Sequence, residues 1–232
     1  STGNGTSISD GSCQSDYLYW DGSSWKNGGQ NIKLGCNAGE INQGTLAIAI
    51  GSESGRTSQG TRGIAIGVNS GQTGQQEDSI AIGTGAGKIV QENDSIAIGT
   101  ETAEFNQGFC CVAIGTTSAQ FNQSAYSVAI GGIAGQNYQG TNCVAIGYGA
   151  GENTQGINSV AVGAYSGYNQ PAGINSISLG AYSTAKDNNT IVINATGSNL
   201  QSDGTANGLY IKPISPEKLT IRIPLLTSRA PK

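Results

Sequence analysis

Ser79–Thr102 reads SIAIGTGAGKIVQENDSIAIGTET, so the letters SIAIG return sixteen residues after they first appear. The return is not local. A glycine preceded by an apolar–small–apolar triplet, or by Ile32-Lys33-Leu34 in the first copy, stands at Gly35, Gly51, Gly67, Gly83, Gly99, Gly115, Gly131, Gly147 and Gly163, always sixteen residues apart. Gly180 follows after seventeen, with the extra residue in Asn169–Gly173, and Thr190–Asn194 forms a shorter last copy with Asn194 in the glycine place. A fixed period of this length is the signature of a repeat architecture.

Within each triplet the large residues lie two apart, as in Ile80 and Ile82 or Val128 and Ile130. Both columns are β-branched or Leu in every copy, which is strand spacing and strand chemistry. The triplets are too short, too β-branched and too often ended by Gly for a helix. The reading is all-β: a parallel β-solenoid of about eleven coils of sixteen residues. Its rungs are ~4.8 Å apart and its body is on the order of 50 Å long. Small residues three and four places after the glycine, such as Ala86-Gly87 and Ala150-Gly151, predict a flat, thin roll. The chain divides into an N-terminal hairpin or cap (1–29), the β-roll (30–185), a terminal coil and closure with a hairpin-like end (186–214) and a C-terminal strand or tail (215–232).

Three columns carry the candidate sites. Gln43, Gln59, Gln75, Gln91, Gln107, Gln123, Gln139 and Gln155 recur eight residues after the glycine and form a structural ladder of stacked amides. Ala49, Ala65, Ala81, Ala97, Ala113, Ala129, Ala145 and Ala161 lie between the two large columns, and Lys33 and Ser178 break the series at its ends. With Ile and Val facing into the roll, the Ala column faces outward and is expected to be the oligomer interface, packed on another copy round a symmetry axis. Sequons occur at Asn4, Asn93, Asn122, Asn188 and Asn194. Asn93 and Asn122, read as turn residues, are the best glycan positions among them.

The tandem SIAIG, SVAIG and NSVAVG motifs, with AG or SG four residues on, resemble the head repeats of YadA-type trimeric autotransporter adhesins over Asn31–Ala185. That resemblance implies a left-handed parallel β-roll and three chains bundled into one head. The NQG turns, the entry Tyr17–Gly29 (YLYWDGSSWKNGG) and the close Thr190–Ile214 are similar to surface-fibre repeat proteins of giant and algal viruses. No coiled-coil stalk or barrel anchor is evident in the sequence, so autotransport is not implied.

The composition restricts chemistry. The 232 residues include 37 Gly, no His and no Met, with 11% charged residues and a net charge of −4. Without His there is no Ser-His-Asp or Cys-His pair, and no cofactor or metal site is expected. The five cysteines have no CxxC spacing. The mild acidity offers no nucleic-acid footprint, and no apolar run approaches a membrane span. The absence of Met suggests a processed or trimmed product. The expectation is a non-enzymatic, extracellular or virion-surface structural protein, a rigid fibre or adhesin-type head whose partners are itself and a host receptor or glycan. The alternative is a filament subunit joined end to end. An ice-binding face is disfavoured because only Thr84, Thr100 and Thr116 align in the column after the glycine. Trp20 and Trp25 are read as a cap over the first coil. Glu217–Arg229 reads as an amphipathic strand, with fold-back capping and pairing with a neighbour both open.

Overall fold

The sixteen-residue period becomes a stack of parallel strands. The computed structural model describes residues 11, 14–168 and 173–214. Its main sheet has twelve strands in simple chain order, from Ile32–Leu34 to Leu209–Lys212. The register is one period per rung: Ile80 pairs with Ile96, Ala81 with Ala97 and Ile82 with Ile98. A second sheet of five strands runs from Thr73–Gln75 to Asn137–Gln139, and isolated bridges such as Ile41–Thr57 and Gln139–Gln155 extend it. Among the described residues there is no helix. The tail Glu217–Arg229, Asn4 and Cys13 lie outside the described residues, as does most of the Asn169–Gly173 insertion.

The glycine column is fixed by the closeness of successive coils. Gly83 has φ +125°, and a Cβ there would lie 2.3 Å from the carbonyl oxygen of Gly99. No other residue tolerates both the backbone and the approach.

The facing of the strands is the reverse of the sequence expectation. The Ala column, Ala49 through Ala161, lies inside the roll at 0–1% exposure. It packs against the small residues of the opposite wall, including Ala86, Ala103, Ala119, Ala134 and Ala150. The Ile, Val and Leu columns face outward, and in none of the twelve strands is either member buried. The reason is width. Two walls joined within sixteen residues leave an interior that methyl groups already fill, and close packing excludes a second row of branched side chains. A residue with no accessible surface has nothing to offer another chain, so Ala49, Ala65, Ala81, Ala97, Ala113, Ala129, Ala145 and Ala161 are core and not interface.

The interior is completed by the amides. Gln75 donates from Nε2 to Gln91 Oε1 at 3.0 Å and to the Ile64 carbonyl at 2.9 Å. The same side chain-to-side chain bond links every Gln from Gln43 to Gln155, at 3.0–3.1 Å. Because each amide donates toward the C-terminal end, the first acceptor has no donor, and Gln43 Oε1 is buried without a partner in the structure.

Both ends of the Ala column are plugged by larger residues. At the N-terminal end Lys33 takes the Ala place and donates from Nζ to the Gly39 carbonyl at 2.7 Å. The Tyr17 hydroxyl accepts from Lys33 N and donates to the Asn31 carbonyl, both at 2.7 Å. These backbone groups lie on the outer edge of the first strand, so Tyr17 closes the position where another strand would pair. At the C-terminal end the column continues as Ser178, Val192 and Tyr210. Val192 packs with Ala185, Leu200 and Tyr210. The last strand runs parallel to its predecessor, so this closure is a further coil, not a hairpin-like end.

Before the first coil, Leu18–Trp20 and Trp25–Asn27 form an antiparallel hairpin. Trp20 and Trp25 face each other edge to face at 5.7 Å and remain 54% and 53% exposed. The cap over the first strand is therefore Tyr17, with the indoles left open to solvent.

Candidate interaction face

Each rung of the main sheet projects two branched side chains away from the roll. On neighbouring rungs they stand in register, as Val112 and Ile114 do over Val128 and Ile130. Twelve rungs make a continuous apolar band about 50 Å long and about 7 Å between columns. Ile98, Ile114 and Ile146 are 36–38% exposed, and Leu34 48%. Soluble single chains rarely leave so long an apolar band uncovered, and such a band marks an interaction surface. The core beneath is built from Ala, Ser, Cys and Gln, which supply little apolar area, so most of the large apolar side chains of the repeat stand in this band. Fully burying an exposed branched side chain contributes about 1.5–3 kcal/mol; these are already partly buried, so covering what remains would contribute only a fraction of that on each rung.

The other predicted positions fall in different places. The Gln column is internal and bonded as described. Asn93 sits half-buried in a turn. Asn122 is not in a turn but in the strand Phe121–Gln123, where its Oδ1 accepts from Asn106 Nδ2 at 3.0 Å. Asn194 is 2% exposed, and its amide nitrogen donates to the carbonyls of Ala181 and Ser198, which leaves it unsuited to carry a sugar.

Two cysteines of the roll are packing residues, while Cys36 is exposed and Cys110 half-buried. Cys111 and Cys143 are buried, and their thiols donate to the carbonyls of Ser124 (2.9 Å) and Gly156 (2.8 Å). Burial pushes the Cys111 thiol up to about 11, far from the range of a reactive thiolate. No three His, Cys, Asp or Glu side chains converge on one point among the described residues. No helix of the described residues is long and apolar enough to cross a membrane.

The sequence reading missed the outward ladder, although its signal was present. The residue four before the glycine is small in copy after copy (Ala47, Gly63, Ser79, Ser95, Cys111, Ser127, Cys143, Ser159) and lies on the same strand face as the Ala column. Two small columns facing two small columns define the thin side.

Residues 172–193 match the family model described as the YadA head domain repeat, in two copies. No curated protein and no solved structure matches the chain. The matched segment includes the strand Ile177–Leu179 and most of Ile191–Asn194, two rungs of a main sheet whose ten other rungs carry the same outward pair. In fold the chain is a parallel β-solenoid, and within it residues 172–193 are similar to YadA head repeats.

Proposed function

We propose that this protein is a structural surface head or fibre that assembles as a homotrimer and serves attachment, without covalent chemistry. The observation that supports the reading is the outward ladder of Ile, Val and Leu. It is in register and apolar on every rung, and three copies turned about an axis parallel to the roll bring three such bands together. Closed rotational symmetry buries them all and leaves the turns on the outside. The YadA-type repeats support an adhesin-type role, and an extracellular or virion-surface location follows from that role. The interface is assigned to the Ile and Val columns and no longer to the Ala column.

The end-to-end filament is the weaker alternative. Strand addition at the N-terminal end requires the outer edge of Ile32–Leu34, and the Tyr17 hydroxyl already holds Lys33 N there. Light scattering on the purified chain tests the two readings. A single mass of three chains is expected, whereas a mass that grows with concentration favours the filament and a single-chain mass overturns the assembly.

A further inference from the structure

Between the N-terminal hairpin and the first coil lies a cleft of about 760 Å³, within the size range of small-ligand sites. One wall is apolar: the exposed indoles of Trp20 and Trp25, with Leu34 beside them. The rest is polar and includes Asn37, Glu40 and Lys33. Closing the first strand is the work of Tyr17, so capping does not account for two half-exposed tryptophans at this place.

The polar groups are arranged unequally. Glu40 is held by Arg56, whose Nε donates to its carboxylate at 2.8 Å. The side chain of Asn37 makes no hydrogen bond among the described residues, so its donor and acceptor are both open. Lys33 donates to the Gly39 carbonyl at 2.7 Å. At the rim, Asp21 accepts from Ser23 and Ser24, and these bonds hold its carboxyl down at about 2, hence ionised. Each carboxylate already has a cation, Arg56 on Glu40 and Lys26 on Asp21 at 3.8 Å, and the Lys33 ammonium is engaged, so no cation of the cleft is left open to an anionic ligand. A wholly apolar ligand would desolvate Asn37 and Glu40 with nothing in return. A pyranose matches both halves: its C–H face lies on an aromatic ring, and its hydroxyls both donate and accept.

We infer that this cleft binds a neutral pyranose unit of a glycan, stacked on Trp20 or Trp25 and bonded through Asn37 and Glu40. The site would give the proposed attachment role its target. It depends on that reading for its biological use and not for its geometry.

The two tryptophans of the cleft are the only two in the chain, so intrinsic emission reports on this place alone. The full chain is titrated with cellotriose, chitotriose and maltotriose, and with a sialylated trisaccharide as the acidic control. The expected result is a saturable emission shift with at least one neutral sugar and none with the acidic one. Calorimetry should then show binding weakened roughly tenfold or more in Trp25→Ala and Asn37→Ala, with particle mass and circular dichroism unchanged. No shift with any of the three neutral sugars overturns the inference. An emission that follows protein concentration and ignores sugar also overturns it, and assigns the cleft to a second copy. Ile98→Lys, which removes charge neutrality from the ladder and not from the cleft, is titrated in parallel. Sugar binding that survives the loss of assembly separates failure of the trimer from failure of the cleft.

Discussion

Ala97 is fully buried in the roll, and Ile98, the next residue, leaves 37% of its surface to solvent. The small side chain is core and the large one is surface, an inversion of the usual partition. The two positions therefore respond differently to substitution. Ala97→Leu adds three carbons to an interior filled by methyl groups and should destabilise the coil by about 1–3 kcal/mol or more, seen as a lowered melting temperature. Ile98→Lys leaves the roll intact and places a charge in the apolar band. Its circular dichroism should match the parent's while its mass in light scattering falls toward one chain. A folded Ile98→Lys with the parent's mass would remove the ladder from the interface.

Gln91 receives the amide of Gln75 and donates to Gln107, both at 3.0 Å, and it also reaches the Ile80 carbonyl at 2.8 Å. Gln91→Ala leaves the buried Gln107 Oε1 without its donor and takes one of three acceptors from Gln75 Nε2, which keeps the Ile64 and Ser79 carbonyls. An unmet buried group costs about 1–3 kcal/mol, so the loss should exceed that of an average surface change by a wide margin. Because coils contact mainly their neighbours, hydrogen exchange should quicken over the adjacent rungs first and leave both ends of the rod protected. Uniform exchange along the chain would contradict a ladder made of separable links.

The period, the strand triplets and the Gln column were legible because each depends on spacing alone, and Gly83 or Gln75 can be placed by counting. The direction of the strand was not, because the usual rule sends Ile inward and Ala to either side. Here the thinness of the coil decides, and thinness is a property of two walls together. The pairs such as Ala86-Gly87 announced a thin roll, yet a thin roll and an inward Ile80 are incompatible. Tyr17 as the edge cap was also hidden: its hydroxyl reaches Lys33 sixteen residues on, and no local pattern marks that contact. Trp20 and Trp25 are expected to cap because the first coil leaves an open edge, and that need is met by Tyr17 instead.

Charge contributes at the surface of the early coils. Arg62 donates to Asp78 and Glu77, and the Arg62 guanidinium lowers the Asp78 carboxyl below its ordinary value. A carboxyl depressed in the folded state stabilises above its unfolded pKa, near 4, and loses that contribution as pH falls through the folded value. The melting temperature should therefore decline as pH drops below about 4. The pair is exposed, so the effect is small and screened by salt. Asp78→Asn should flatten part of the acid limb without changing the melting temperature much near neutrality. An acid limb of unchanged slope in the variant would assign it to other carboxyls.

The hydroxyl of Tyr17 covers an otherwise open sheet edge. It accepts the Lys33 amide and donates to the Asn31 carbonyl, and it is one oxygen atom. Tyr17→Phe keeps the ring in place and strips both bonds. Two outward backbone groups of the first strand then face solvent, which is the template for strand addition. The Lys33 amide should exchange faster, and electron micrographs at rising concentration should show rods joined end to end where the parent shows single ones. If Tyr17→Phe exchanges faster at Lys33 yet stays discrete, the hydrogen bonds close the edge locally and the bulk of the hairpin is what keeps neighbours away. If neither property changes, the phenol is not the cap, and the edge is protected by the rest of the hairpin.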